Sequence, residues 1–221
     1  MNRMSPEQAD AYRRPALDAL GEDDPVVVQD TEPELWRRLV DQAGAHLRTR
    51  PEPGEWSVLE CLGHMCDSEL ITSARYRWIL SEGEPPLVGF DQDAWAARLD
   101  HAEDDPTTLL DYFGVLRRAN VVLWRRTSVA ARGRIGIHAE RGPESFELLF
   151  RLQAGHGRLH RAQAERALAQ VRRPRPVGRP LAGSLRPDTH NLIDDLQESA
   201  GRWPPTQPGP EPPTVPASQA G

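Results

Sequence analysis

The stretch Gly54-Glu55-Trp56-Ser57-Val58-Leu59-Glu60-Cys61-Leu62-Gly63-His64 contains the clearest helix start in this chain. Ser57 is a favourable N-cap, and Glu60 stands three residues later, where its carboxylate can accept from the Ser57 backbone N–H and complete a capping box. Trp56 and Cys61 have the spacing of a hydrophobic staple across the same first turn. The sequence therefore predicts a helix that begins after Ser57 and runs to about Leu80.

Three further segments combine a helix start signal with apolar residues spaced three and four apart. Thr31-Glu32-Pro33-Glu34 has the Thr-x-x-Glu spacing of a capping box, with proline in the tolerated first turn. Asp105-Pro106 supplies an N-cap and a proline at the first helical position, and Ser145 can cap the last segment. These signals predict helices over about 32–48, 106–127 and 146–170, with a short helix capped by Asp91 and an irregular stretch at 132–142 in the connections. Because no segment has a convincing period of two, the sequence predicts an all-α fold, a four-helix bundle.

The two ends of the chain differ in composition from this central part. Residues 1–29 are polar and rich in aspartate and proline, and we expect a loosely docked N-terminal arm there. Eleven of the 21 prolines lie from Pro174 onward, so residues 171–221 are predicted to be a Pro/Arg-rich tail that is disordered or loosely docked. The bundle is accordingly assigned to residues 30–170, which is long enough for one hydrophobic core.

Composition and charge exclude several classes of function. The chain has no lysine, which excludes a Schiff-base enzyme and a P-loop lysine. Its formal net charge is −6, so the chain as a whole lacks the positive footprint of a nucleic-acid-binding protein. The N-terminus has no apolar signal core and no run of about 18 apolar residues occurs, so we expect a cytoplasmic protein without a membrane partner. Cys61 and Cys66 point to different sides of one predicted helix, which argues against a disulfide between them.

Three of the seven histidines have positions that could bind a metal. His156 and His160 are four residues apart on the last predicted helix, so their side chains lie on one face. His64 lies at a core-facing edge of the helix that follows Ser57. In a bundle in which these two helices face each other, three imidazoles can converge on one metal and leave a coordination position open for water or substrate.

Other metal chemistries fit the spacing less well. A zincin needs His-Glu-x-x-His, but the chain reads His156-Gly157-Arg158-Leu159-His160. A ferritin-like di-iron bundle needs Glu-x-x-His pairs, and none occurs in the sequence. Two cysteines on one helix cannot complete a structural zinc site, although Cys61, one turn before His64, is an option as a soft fourth ligand. The alternative without a metal is that these are ordinary histidines, which are costly to bury without polar partners.

Two motifs, taken in their order along the chain, resemble those of the DinB-like (DinB/YfiT) metalloenzyme superfamily. This is the four-helix family and not the DNA polymerase of similar name. The first is the stretch from Gly54 to His64, with the pattern Trp-Ser-x-x-Glu-x-x-x-His, and the second is His156-x-x-x-His160-x-x-Gln163. The linker Glu84-Pro85-Pro86-Leu87, followed by Phe90-Asp91-Gln92-Asp93-Ala94-Trp95, is also similar to that of the family. The resemblance covers roughly residues 30–170 and implies a bundle of the DinB/YfiT type.

The resemblance also implies a function. It implies one divalent metal, zinc or nickel, bound by His64, His156 and His160. It further implies a thiol-dependent S-transferase or isomerase in which the metal activates bacillithiol, mycothiol or glutathione toward an electrophile, because a metal-held thiol is deprotonated more readily. A homodimer is a family-level expectation. The family commonly has an acidic residue directly after the first histidine of the closing motif, where this chain has Gly157.

Three polar residues are further candidates for the site. Gln163, one turn beyond His160, could orient a ligand or the substrate. Asp67 follows His64 and could face the same pocket, although helix carboxylates are mostly solvated. Asn120 interrupts an apolar stripe, which favours a hydrogen bond across the bundle over a role in the reaction. Since no acid–base pair accompanies the three histidines, the alternative function is a catalytically silent metal-binding or dimeric stress-response bundle.

Overall fold

Side-chain caps determine where the helices of this chain begin. The computed structural model describes residues 3–173, and Ser57, Asp91, Asp105 and Ser145 each accept a hydrogen bond from a backbone N–H in the first turn of a helix, as the sequence predicts. The helices are α1 (Pro6–Leu20), α2 (Pro25–Ala43), α3 (Val58–Ser81), α4 (Gln92–Arg98), α5 (Pro106–Arg126), α6 (Val129–Arg132) and α7 (Phe146–Val171), and the strands are β1 (Pro86–Leu87), β2 (Ile135–His138) and β3 (Gly142–Ser145). Two 3-10 turns cover Gly44–His46 and His101–Glu103.

Four of these helices form the bundle that the sequence predicts. Helix α2 packs against α5 and α7, and α3 packs against the same two helices, so α2 and α3, the first two helices of the bundle along the chain, lie at opposite corners. One end of the core contains Trp36, Leu62 and Phe113, and the other contains Tyr76 and Phe150. All of these side chains are fully buried, and the arrangement brings α3 and α7 side by side.

The N-terminal residues do not form the loosely docked arm that the sequence predicts. Residues 6–20 form α1, which Ser5 and Gln8 start with a reciprocal capping box and which packs along α7. The two helices approach so closely that a Cβ on Gly155 would lie 1.7 Å from the Ala16 carbonyl oxygen. A polar composition was a poor guide here, since a helix that buries a narrow stripe needs few apolar residues.

The first bundle helix also begins earlier than predicted. Asp24 is its N-cap, with Oδ1 2.8 Å from the Val26 N–H, and Pro25 occupies the first helical position. Thr31 is inside the helix, where its hydroxyl donates to the Val27 carbonyl rather than capping. The chain tolerates Pro33 within α2, so the helix spans residues 25–43 instead of about 32–48.

Two of the connections between helices contain short strands that the sequence did not indicate. Strands β2 and β3 form an antiparallel hairpin in the stretch predicted to be irregular, and β1 pairs with β2 in parallel. Gly136 allows this pairing, because a Cβ there would lie 2.8 Å from Leu87 Cδ2. Strands of two to four residues are too short to show a period, so tertiary contacts decide them.

No helix among residues 3–173 is long and apolar enough to cross a membrane. The predicted Pro/Arg-rich tail lies outside the described residues from residue 174 onward.

Candidate metal centre

The packing of α3 against α7 brings His64, His156 and His160 together. The facing nitrogens of His64 and His156, both Nε2, are 3.4 Å apart, and one ring nitrogen from each of the three residues lies within 4.8 Å of the others. The rings of His64 and His160 have centroids 4.4 Å apart, and those of His156 and His160 4.3 Å apart. His64 and His160 are buried and His156 is half-buried, so the cluster is open on the His156 side.

These distances fit a single metal ion. Zinc–nitrogen bonds are about 2.0–2.1 Å long, so two imidazole nitrogens at a tetrahedral angle are about 3.3 Å apart. The His64–His156 separation of 3.4 Å is close to that value. Three ligands would leave one position of a tetrahedral site for water or substrate. Without a cation or a shared proton, the facing lone pairs of these nitrogens would repel each other.

The protonation state of the cluster also suits a metal. Burial, followed by the charges of neighbouring histidines, lowers the pKa of His64 well below its ordinary value. Burial and His160 do the same to the pKa of His156. Burial lowers the pKa of His160 to about 4, although its bond to Gln163 acts in the opposite direction. At neutral pH all three imidazoles are therefore neutral, with one ring nitrogen of each free of a proton, which is the form that binds metal.

Gln163 determines which nitrogen of His160 faces the cluster. His160 Nδ1 donates to Gln163 Oε1 at 2.9 Å, one turn further along α7. The proton is thereby held on Nδ1, and Nε2 keeps its lone pair for a ligand. Of the three polar candidates named from the sequence, Gln163 is the one in contact with a cluster histidine.

A polar chain behind His156 leads into the core. His156 Nδ1 lies 3.5 Å from Ser68 Oγ, and Ser68 lies 3.3 Å from the amide of Gln153. Gln153 Nε2 donates to Glu69 Oε2 at 2.9 Å, and Glu69 is paired with Arg117 at 2.8 Å. All of these residues except His156 are buried, so a buried polar network lies behind the half-buried His156.

Asn120 belongs to the same buried polar network rather than to the histidine cluster. Its Nδ2 donates to Glu69 Oε1 at 2.7 Å and to Ser73 Oγ at 2.6 Å, both on α3. This is the hydrogen bond across the bundle that the interrupted apolar stripe predicts. Cys61 is fully buried and is not part of the histidine cluster, and burial raises the pKa of its thiol. Cys61 and Cys66 are both free thiols.

Asp67 contacts a histidine to which the sequence assigned no role. His101 Nε2 donates to Asp67 Oδ2 at 2.8 Å, and His101 Nδ1 donates to Asp104 Oδ2 at 2.7 Å. The bond to Asp67, supported by that to Asp104, raises the pKa of His101 to about 9 against the cost of burial. The His101 ring fills the space beside Gly63, where a Cβ would lie 2.3 Å from its Cγ. A charged imidazole thus packs on the turn of α3 that carries His64.

Two aromatic side chains that the sequence did not assign to the site form its walls. The Trp56 ring lies 5.1 Å from that of His64 and 6.0 Å from that of His160. The Phe90 ring lies 6.3 Å from that of His64 and 4.9 Å from that of Trp95. Trp56 precedes the N-cap of α3, so a staple residue can reach a side chain two turns into the helix. Phe90 comes from the linker after β1, and only the tertiary fold brings it here.

Gly157 does not face the histidine cluster. A Cβ at this position would lie 3.4 Å from Arg117 Nη2 and 3.7 Å from Glu32 Cδ, and none of its three nearest atoms belongs to a cluster histidine. An acidic side chain at 157 would therefore lie beside Arg117, whose charge also acts on His156.

Sequence comparisons identify the family to which this chain belongs. The family model described as "DinB superfamily" matches residues 28–164, more than half of the 221-residue chain, so the chain belongs to this superfamily. A Bacillus cereus protein named "Putative metal-dependent hydrolase" is 25% identical over 153 residues, which cover 68% of this chain and 87% of the relative. A Bacillus mycoides protein with a name of the same kind is 26% identical over 137 residues, covering 61% of this chain and 78% of the relative.

The structure of YfiT from Bacillus subtilis superposes on this chain with a TM-score of 0.62. The match covers 77% of this chain and 91% of YfiT at 21% sequence identity. That protein is described as "a probable metal-dependent hydrolase with an unusual four-helix bundle topology". The likeness supports the bundle described above, with its first two helices at opposite corners.

Proposed function

We propose that this chain is a divalent-metal-dependent enzyme whose ion, zinc or nickel, is bound by His64, His156 and His160. The observation that carries the proposal is the His64–His156 nitrogen separation of 3.4 Å, which matches two ligands of one tetrahedral ion. The neutral state of the buried imidazoles and the bond from His160 to Gln163 support it. The names of the curated relatives point to the same dependence on metal.

The ion would supply a Lewis-acid position that lowers the pKa of a coordinated water or thiol. The chain's own side chains would orient the ligands and restrict the access of water. Gln163 holds the proton of His160 on Nδ1, and Ser68 supports the ring of His156. Trp56 and Phe90 restrict the access of bulk water to the His64 side, which strengthens electrostatic interactions within the site.

The finer proposal concerns the nucleophile. A hydrolase would use water, as the names of the relatives suggest, whereas an S-transferase or isomerase would use bacillithiol, mycothiol or glutathione. One observation favours a thiol: within residues 3–173, the cluster consists of three histidines and includes no carboxylate. A water nucleophile benefits from a nearby general base, while a thiol is already largely ionised once its pKa is lowered.

The decisive experiment is metal analysis of the full-length chain, purified without a histidine tag. We expect about one equivalent of divalent metal in the wild type, its loss in His160→Ala, and its retention in His46→Ala, which removes an exposed histidine in the turn after α2. Metal-free wild-type protein that takes up no zinc or nickel would contradict the proposal. Light scattering of the same samples tests the homodimer that the family resemblance implies.

The nucleophile is tested on the metal-loaded protein with an activated ester and with an alkylating electrophile, each with and without the three thiols. Ester turnover without thiol supports the hydrolase. Turnover of the electrophile that depends on one thiol and is lost in His160→Ala supports the S-transferase. Metal binding without turnover of any substrate would favour the silent metal-binding bundle.

A further inference from the structure

Arg75 is a buried cation without an ion-pair partner among residues 3–173. It lies on α3, eleven residues after His64, which is about three helical turns and therefore nearly the same face. The residue is 6% exposed, its Nε has no hydrogen-bond partner within the part of the chain that the structure describes, and its Nη2 donates to the Val88 carbonyl. Burying a guanidinium without a counter-charge is unfavourable, so the arrangement indicates that an anion is missing.

His138 presents a second donor to the same place. Its Nδ1 accepts from the backbone N–H groups of Glu140, at 3.2 Å, and Arg141, at 3.3 Å. Burial, together with the charge of Arg141, lowers the pKa of this fully buried imidazole to about 3, so it is neutral at pH 7. A neutral imidazole that accepts at Nδ1 carries its proton on Nε2. That Nε2 lies 3.5 Å from Arg75 Nη2, so two donors face each other, and no hydrogen-bond acceptor from the described residues is shared between them.

The nearby carboxylates do not fill this position. Glu144 is fully buried, and both Arg141, at 2.7 Å, and Arg13, at 3.4 Å, pair with it. One carboxylate therefore serves two guanidiniums, and Arg75 adds a third positive charge to the region. Glu140 is the remaining acid nearby: a Cβ built on Gly89 would lie 3.7 Å from His138 Nε2 and 3.9 Å from Glu140 Oε2. Gly89 has no side chain, so space for about one methyl group lies beside the His138 ring, 3.5 Å from its Cε1.

The linker after β1 connects this position to the histidine cluster. Val88 accepts from Arg75, and Phe90, two residues later, packs against the His64 ring. Two residues of extended chain span at most about 7 Å. Helical side chains also lean toward the helix N-terminus, which directs Arg75 toward His64. The Cα atoms of His64 and Arg75, eleven residues apart on one helix, are about 16 Å apart, so a molecule that reaches both places has its anionic group at one end and its reacting atom at the other.

We propose that Arg75 and His138 bind an oxyanion group, a carboxylate or a phosphate, of the substrate that the histidine cluster acts on. The inference rests on the proposed function only in assigning this anion to that substrate. Arg75 would donate from Nε and Nη2, and His138 from Nε2–H. The charge-assisted bonds to the guanidinium supply most of the affinity, and the imidazole fixes the orientation of the group. The substrate class is therefore a small anionic molecule whose charged group is remote from its reacting atom.

The test is calorimetric titration of the full-length chain with succinate and, separately, with inorganic phosphate. Each titration is performed on metal-loaded protein and on protein stripped with the neutral chelator phenanthroline. We expect binding of at least one probe in both states and a loss of affinity of about tenfold or more in Arg75→Gln. The probe that binds more tightly distinguishes a carboxylate site from a phosphate site.

Two variants complete this experiment. Arg134→Gln removes the same charge from an exposed arginine that also donates to backbone carbonyls, and we expect it to bind like the wild type. Glu140→Gln removes the competing carboxylate and should tighten binding, a gain that misfolding cannot produce. Equal affinity in wild type and Arg75→Gln, or no binding of either probe to the wild type, would overturn the proposal. Binding that needs the metal but is indifferent to Arg75→Gln would also overturn it while leaving the proposed function intact.

Discussion

At the scale of single residues, the orientation of each imidazole depends on the group behind it. His160 is fixed by the amide oxygen of Gln163, whereas His156 has only the more distant hydroxyl of Ser68. His64 Nδ1 is buried without a partner in the described part of the chain. The three ligands are therefore held with unequal rigidity, and His160 is the one whose tautomer is most firmly set.

Replacing Gln163 by leucine should weaken metal binding. Without the amide acceptor, the proton of His160 is no longer held on Nδ1, and the loss of such an outer partner typically reduces affinity by about 10- to 100-fold. The variant Gln163→Glu still offers an acceptor to His160 Nδ1 and should retain most of the affinity. The measurement is competition for zinc with a chromophoric chelator.

The control for this substitution is Gln170→Leu, which makes the same change at an exposed position near the end of α7. We expect it to bind zinc like the wild type. If Gln163→Leu binds zinc as tightly as Gln170→Leu, the amide does not orient the ligand.

The residues of the cluster were predictable because helical periodicity places them. The spacing of His156 and His160 fixes their common face, and the capping box at Ser57 sets the phase of the helix that carries His64. Phe90 and His101 were not predictable, since they come from connections whose path depends on the whole fold. For the same reason, no local pattern indicates that His138 lies beside Arg75.

At the scale of elements, α1 and α7 approach closely enough for backbone to lie against backbone. Gly155 lies at this crossing, against the backbone of Ala16, and α7 carries two of the three cluster histidines on another face. Arg158 strengthens the contact by donating to the carbonyls of Ala19, at 3.0 Å, and Leu20, at 3.3 Å. Helix α1 therefore supports the helix that presents the site.

Gly155→Ala should separate α1 from α7 and destabilise the protein. A methyl group cannot fit 1.7 Å from a carbonyl oxygen, and overpacking against backbone costs roughly 2–4 kcal/mol. Gly114→Ala in α5 is the matched control, because the nearest side-chain atom there is Pro33 Cβ at 3.9 Å. Alanine is the better helix former, so we expect a gain of up to about 1 kcal/mol for that control.

Urea unfolding followed by circular dichroism measures both substitutions. Wild-type stability in Gly155→Ala would mean that α1 does not pack on α7 as described.

The helices were predictable to the extent that their start signals were unambiguous. Asp105-Pro106 and Ser145 begin α5 and α7 as predicted. Asp24-Pro25 is the same signal as Asp105-Pro106, but the later Thr31-x-x-Glu34 pattern competes with it, and local spacing alone cannot decide between two consistent caps. The three-stranded sheet was not predictable, because its strands are defined by pairing and not by composition.

At the scale of the whole molecule, His101 should make stability depend on pH. Its pKa is raised to about 9 in the folded protein, mainly by Asp67, against about 6.5 in an unfolded chain. The folded state therefore binds the proton more tightly. The stabilisation is complete below about pH 6.5 and is lost as the pH rises through 9.

We expect the free energy of unfolding to fall by roughly 2 kcal/mol between pH 6.5 and 9, at constant metal content. His101→Gln should be less stable at pH 6.5 and should show a flatter profile across this range. Parallel profiles for the wild type and the variant would rule out His101 as the titrating group. Denaturant unfolding at a series of pH values provides the comparison.

The positions of the cluster histidines along the chain have a consequence for how the protein is made. His64 and His156 are 92 residues apart, and bringing together the ends of so long a loop costs about 4 kcal/mol of chain entropy. Before α7 has been synthesised, the nascent chain contains only one histidine of the three. The cluster therefore forms late in folding. Only a chain whose bundle has formed would bind an ion with all three imidazoles.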